Sequence, residues 1–235
     1  DPEWRPFSSS TMVDGPAYLR KRVKFASKVK TENKYMSKFE NFSARECLVP
    51  LVEIEDFSPA FAELAERSIQ KYGRVSNSAR AMANSDNLAV TARSFLSDIW
   101  TGGSLGLELA YLVRLIVSNI NTCVYCSTHQ VKALAKMGMT KEKIENIREF
   151  RSHPAFSERE RLALEYGAAL TQDSANISDE IAARLVAEFS PEERVELTII
   201  AAGMGMLNRI NDGLRVPIED ASRDTAEAVA ASFEG

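Results

Sequence analysis

Helix punctuation recurs down this chain and leaves little room for a sheet. Ser58-Pro59 reads as an N-cap followed by proline at the first helical position. Ser157 with Glu160, and Ser190 with Glu193 across Pro191, have the spacing of capping boxes. After Pro59, apolar Phe61, Leu64, Ala65 and Ile69 recur at helical spacing to Tyr72, and Gly73 closes the run. Ser78 to Ala83 reads as a short helix, and Leu88 to Trp100 as a longer one broken by Gly102-Gly103. Leu105 to Ile120 is apolar enough to be one buried helix. Leu48 to Ile54 is the single strand candidate. These signals predict an all-α fold.

The chemistry concentrates at Cys123-Val-Tyr-Cys126, with His129 one turn later. Two of three cysteines and one of two histidines fall within seven residues. Asn119, Asn121 and Thr122 interrupt the preceding helix. Val131, Leu134, Ala135 and Met137 restore helical spacing until Gly138. Cys123 is therefore expected in a first turn, where unpaired N–H groups and the helix dipole favour a thiolate. Cys126 follows as the buried or resolving partner, and His129 is placed to move protons. Two other readings compete. A closed zinc site needs about four ligands, and Cys47 and His153 lack ligand spacing. Inert core packing also suits free cysteines.

Elsewhere the reading is plainer. The net charge of −4 argues against nonspecific nucleic-acid binding by the body of the protein. No apolar run reaches the length of a membrane span. An odd cysteine count does not suggest a secreted disulfide framework, and a reducing cytoplasmic or organellar compartment fits a cycling dithiol. Residues 1–47 read as a basic N-terminal extension, with Arg20, Lys21, Arg22, Lys24, Lys28, Lys30, Lys34 and Lys38 opposed by Glu32 alone up to Lys38. That arm either wraps a neighbouring subunit or binds an acidic partner or membrane surface. Residues 48–220 form the helical domain and 221–235 a tail. Gly203 and Gly205 mark either close helix packing or a shallow pocket beside the dithiol. Asn208, Asn211 and Asp212 read as helix-end caps, and Phe95, Trp100 and Phe150 as core.

Several longer stretches carry a family resemblance. They are Gly73-Arg-Val-Ser-Asn through Met82-Ala-Asn-Ser-Asp-Asn-Leu88, then Leu112 through Cys126, Phe156-Ser-Glu-Arg-Glu-Arg-Leu-Ala-Leu-Glu-Tyr166, and Phe189-Ser-Pro-Glu-Glu-Arg-Val-Glu-Leu197 leading to Leu207-Asn-Arg-Ile-Asn-Asp212. Together they resemble the alkylhydroperoxidase/carboxymuconolactone decarboxylase family over roughly residues 48–219. The resemblance implies an all-α, alkylhydroperoxidase D-like bundle that self-associates as trimers or their multiples. It also implies a redox dithiol served by a glutamate and histidine relay. Cys123 and Cys126 match the attacking and resolving pair, in one order or the other. His129 matches the helix histidine at three residues beyond Cys126, where many members have four and this chain has Gln130. Tyr111 stands at the register of the relay glutamate, with Glu108 one turn earlier as the nearest carboxylate. The decarboxylase branch does not rest on a cysteine pair. The implied activity is a thiol-dependent peroxidase or disulfide reductase. Its partners are a peroxide or disulfide substrate and a reductant that is another thiol protein or a small thiol. No metal, flavin or nucleotide motif is visible. The alternative is a catalytically weak accessory subunit, recruited to a larger assembly through the basic arm.

Overall fold

The computed structural model describes residues 37–99 and 101–234. Among these residues the secondary structure is helical, with no strand. The basic residues 20–34 and Trp100 lie outside the described residues.

The helices are α1 (Lys38–Ser43), α2 (Pro59–Tyr72), α3 (Asn77–Met82), α4 (Asp86–Ile99), α5 (Leu107–Ile120), α6 (Val124–Lys136), α7 (Lys141–Glu145), α8 (Glu158–Gln172), α9 (Asp179–Glu188), α10 (Pro191–Leu214) and α11 (Arg223–Ser232). Their starts follow local chemistry. Ser58, Ser157 and Ser190 each accept a backbone N–H from the third helical residue, and the boxes at Ser157 and Ser190 are closed by Glu160 and Glu193. Gly102, at φ 82°, is a position only glycine fills. A Cβ there would sit 2.8 Å from the Leu107 backbone.

α5 is the axis of the bundle. Leu109 through Asn119 are buried, and the helix packs against α6, α8 and α10. Helix α10, about 36 Å long at 1.5 Å per residue, crosses α4, α5, α6 and α8. α11 covers the outer side of α6 and holds α1 in turn. So residues 221–235, read as a tail, contain a helix whose Ala226, Val229, Ala230 and Phe233 form a small core with Phe39 and Val124.

Two expectations are corrected, and one open choice is resolved. The segment Leu48–Ile54 is no strand: Leu48 N–H bonds the Leu214 carbonyl at 2.9 Å and Val52 N–H bonds the Arg80 carbonyl at 3.3 Å, both helix-end acceptors. Without a neighbouring strand, β propensity has nothing to pair with. Phe95 is 42% exposed and not core, whereas Phe150 is buried. Gly203 reflects close packing: a Cβ there would lie 2.4 Å from Ile99 Cδ1.

Candidate active site

The turn from α5 to α6 sets the dithiol. Thr122 adopts φ 53°, rare for a β-branched residue, and places Cys123 at the N-cap of α6. The Cys123 Sγ accepts the Cys126 N–H at 3.4 Å, the role a serine oxygen plays at other helix starts. Both cysteines carry free thiols, and they are 0% and 1% exposed.

Burial overturns one expectation. The Cys123 thiol is raised well above the ordinary thiol range, not lowered. Removal from water is the main cause. Hydrogen bonding with Cys126 and the negative charges of Cys126 and Asp212 add to it, and the Cys126 N–H offsets only part. The end of α10 supplies a partner to the Cys126 sulfur. Asn211 Nδ2 donates to Cys126 Sγ at 3.2 Å, and Asn211 Oδ1 accepts the Ser78 hydroxyl at 2.7 Å. Next in sequence, the Asp212 carboxylate adds its negative charge to the surroundings of the Cys123 thiol. Burial raises the Asp212 carboxyl above its usual range, and the nearby Cys123 thiol and the charge of Arg45 counter this in part.

His129 lies on the same helix, but its partners come from elsewhere. Nε2 faces Glu219 Oε2 at 3.0 Å, and Nδ1 lies 3.2 Å from Arg74 Nη2. A guanidinium only donates, so Nδ1 accepts and the proton sits on Nε2, whose 3.0 Å approach to Glu219 Oε2 is an ion-pair contact outside hydrogen-bond geometry. Glu219 belongs to the connection between α10 and α11. Its Oε1 accepts from Tyr125 Oη and from Asn77 N–H, both at 2.8 Å, and pairs with Arg74 Nη1 at 3.1 Å. Burial alone would push the Glu219 carboxyl up. The contact with His129, the imidazole charge when protonated, and the Asn77 N–H hold it far below the usual carboxylate range. Tyr125, between the two cysteines, stays a phenol: burial and the Glu219 charge raise it well above its ordinary value. Ser78 joins the two halves, because its N–H donates to Tyr125 Oη at 3.0 Å while its hydroxyl binds Asn211.

The two remaining residues taken from the sequence sit apart from this network. Glu108 is exposed in the first turn of α5, and the carboxylate that meets His129 is Glu219 instead. Tyr111 is buried, with the Arg114 guanidinium 3.6 Å over its ring, and Arg114 Nη2 donates to Gln130 Oε1 at 2.8 Å. The two positions where this chain departs from the family pattern, Tyr111 and Gln130, are thus joined through one arginine.

Sequence reasoning missed Arg74, Ser78, Glu219 and the pairing of Asn211 with the Cys126 sulfur. The polar run at 208–212 was the one available signal, and it reads equally well as a helix cap. Cys47 packs at the other side of the α10 terminus, its thiol donating to the Leu214 carbonyl at 3.3 Å. His153 is half-buried in its loop, with Nδ1 accepting from Ala155 N–H. Among the described residues no three His, Cys, Asp or Glu side chains are grouped to hold a metal ion, and no helix is long and apolar enough to cross a membrane.

Residues 87–169 match the carboxymuconolactone decarboxylase family. The uncharacterized protein YnjA of Escherichia coli (strain K12) is 27% identical over 112 residues, which are 48% of this chain and 62% of YnjA, so the match spans less than two thirds of that relative. The apo structure of the debrominase Bmp8 aligns at a TM-score of 0.69 and 25% identity over 79% of this chain and 98% of Bmp8. A Bmp8 variant has also been solved in complex with 2,3,4-tribromopyrrole. An alkylhydroperoxidase AhpD core protein from Ralstonia eutropha JMP134 aligns at 0.69 and 15% identity over 77% of this chain and 96% of its own, a likeness of fold. Sequence match and helical core converge: part of the chain resembles the carboxymuconolactone decarboxylase family, and its fold is that of the AhpD-like core proteins.

Proposed function

We propose that the chain is a thiol-dependent oxidoreductase that reduces peroxides or disulfides through Cys123 and Cys126. The observation that carries this reading is the seating of Cys123 Sγ on the Cys126 N–H at the start of α6. That seating brings the two thiols to one helix end, where a short loop closes on oxidation.

The roles follow from the partners. Cys126 accepts a hydrogen bond from the Asn211 amide, a donor that suits an anionic sulfur, so Cys126 attacks. Its sulfur forms an S–O bond as the peroxide O–O bond breaks, and the departing oxygen takes a proton to leave as an alcohol or water. The sulfur of Cys123 then displaces water from the sulfenic acid and forms the disulfide. Two electrons and two protons from an external thiol protein or small thiol restore the pair. This cycle requires a compartment reducing enough to reopen the bond.

A second chemistry has its own support in the fold match to Bmp8. A dithiol can replace an aryl C–Br bond by C–H, giving bromide, a proton and the disulfide. Mass spectrometry separates the outcomes. After mild hydrogen peroxide, one peptide holding Cys123 and Cys126 should lose two hydrogens, and Cys126→Ser should abolish the loss. Bromide release from 2,3,4-tribromopyrrole without a response to peroxide would favour the second chemistry. Two thiols that stay alkylatable under both treatments would leave the accessory-subunit role.

A further inference from the structure

We propose that Ser78 is a positioning residue for the attacking sulfur, holding the Asn211 amide with its nitrogen toward Cys126. The inference rests on the thiol reading of Cys123 and Cys126 given above.

A side-chain amide has a donating end and an accepting end, and the end that meets a sulfur decides which form of that sulfur it favours. Asn211 is 2% exposed and sits in the last turn of α10. Its Nδ2 donates to Cys126 Sγ at 3.2 Å, and its Oδ1 accepts the Ser78 hydroxyl proton at 2.7 Å. This orientation suits a thiolate. Turned over, the amide would set its carbonyl oxygen against the sulfur. A thiol could donate to that oxygen, but a thiolate has no proton to offer and would be repelled.

Ser78 weights the choice. While its hydroxyl donates, Oδ1 has a partner away from the sulfur and the nitrogen is left for Cys126. Without the hydroxyl, a buried carbonyl oxygen would lose its donor, which is costly. The Cys126 thiol would be the replacement within reach of a turned amide. That bond would keep the proton on the sulfur that must lose it.

Both partners stand on pinned backbone. Ser78 is 3% exposed in the first turn of α3, and its N–H donates to Tyr125 Oη at 3.0 Å. The preceding Asn77 N–H goes to Glu219 Oε1 at 2.8 Å, and Asn77 Nδ2 goes to the Pro217 carbonyl at 3.1 Å. At the other side, the Asn211 carbonyl accepts the Val216 N–H at 2.9 Å as the chain turns through Arg215 at φ 56°. The aim of the amide is therefore set by rotation of the side chain, and the hydroxyl decides that rotation.

The step served is the attack on the peroxide. The Cys126 sulfur gives an electron pair to one peroxide oxygen, and the S–O bond forms as the O–O bond breaks. The departing hydroxide takes up the proton that the thiol has shed and leaves as water.

The test uses the full chain in a Cys123→Ser background, where the sulfenic acid on Cys126 has no second thiol to close with and is trapped by dimedone. At pH 7, with hydrogen peroxide in slight excess, Ser78→Ala should oxidise Cys126 roughly tenfold more slowly, the lower end of what a hydrogen bond to a charged group supplies. Ser78→Thr, which keeps the hydroxyl, should restore most of the rate. Asn211→Leu should slow the reaction at least as far. Adding Ser78→Ala to Asn211→Leu should then change the rate by less than about twofold, because the serine acts through the amide. Oxidation at the parent rate in Ser78→Ala, or equal slowing by Ser78→Ala with and without the amide, would overturn the inference while leaving the dithiol reading intact. A wild-type chain that forms no disulfide with peroxide would overturn both. If Ser78→Ala fails to fold by circular dichroism, Asn211→Asp takes its place: it keeps the size of the side chain and turns the donor at the sulfur into an acceptor. Cys126 oxidising there at the parent rate would overturn the inference, and a loss of roughly tenfold or more is expected.

Discussion

Replacing Glu219 by glutamine tests the hydrogen-bond logic around His129. The carboxylate accepts from Tyr125 Oη and Asn77 N–H on Oε1, while Oε2 faces the His129 Nε2 proton. A glutamine keeps one oxygen. If that oxygen stays with Tyr125 and Asn77, the amide NH2 confronts the Nε2 proton. Moving the imidazole proton to Nδ1 relieves that clash and creates another, because Arg74 Nη2 can only donate. If the amide is turned over, Tyr125 and Asn77 lose their acceptor. Every arrangement leaves one part-buried donor unsatisfied, which costs about 1–3 kcal/mol. The lost ion pair with Arg74, whose side chain is 44% exposed, adds under ~1 kcal/mol. A total near 2–3 kcal/mol lowers Tm by roughly 4–12 °C in a domain of this size. The pH dependence has a definite sign. The Glu219 carboxyl is depressed in the folded state, so its contribution is complete above the ordinary carboxylate range of about 4.3 and fades as pH falls below it. Glutamine has no such titration, so the gap between the two proteins should narrow below about pH 4. Calorimetry or urea unfolding at several pH values measures it. With only two histidines in the chain, 15N spectra also report the His129 tautomer directly. A Tm change under about 2 °C at pH 7, with the Nε2–H tautomer retained, would refute the reasoning.

Cys123 makes the opposite demand on pH. Its thiol is raised in the folded state, so that contribution is complete below the ordinary thiol value of about 8.5 and is lost as pH rises above it. Urea unfolding from pH 7 to 10 should show this alkaline loss, and Cys123→Ser should remove it. Glu108→Gln, on the exposed start of α5, should change stability by less than about 0.5 kcal/mol and leave the dithiol oxidation rate unchanged. The chain should self-associate through apolar groups left on the surface, Leu88 and Phe95 on α4 and Val195 and Ile199 on α10, which are 39–79% exposed. Sedimentation at micromolar concentration should then give a mass above the 26.1 kDa of one chain, and the substitution Val195→Lys should lower it.

What the sequence made legible was local chemistry. Serine caps followed by proline or glutamate fixed the starts of α2, α8 and α10 because the capping partner lies three residues away. The Cys-x-x-Cys pair was placed at a helix start for the same reason, and Cys123 is indeed the N-cap. The direction of its proton affinity was not legible. The helix terminus that favours a thiolate is visible at residues 119–126, but the burial that outweighs it is made by α10 and α5, and no local pattern records that. Glu219 stands 90 residues beyond His129 on a connection with no motif. The carboxylate expected beside His129 from one helix upstream, at Glu108, comes instead from the opposite end of the chain. The strand expected at Leu48–Ile54 failed because an extended, β-rich segment needs a partner edge, and here the helix-end carbonyls of Leu214 and Arg80 take two of its N–H groups.

The family match at 87–169 contains both cysteines and His129, yet Arg74, Asn211, Asp212 and Glu219 all fall outside it. The reagents and their regulators are therefore separable in the gene. A chimera that keeps 87–169 and takes its flanks from another protein matching the same family model would carry the same sulfur pair with a different donor and a different grip on the imidazole. Reactivity in this lineage can thus be retuned without touching the residues that define it, and proteins alike in their cysteine motif need not share a substrate.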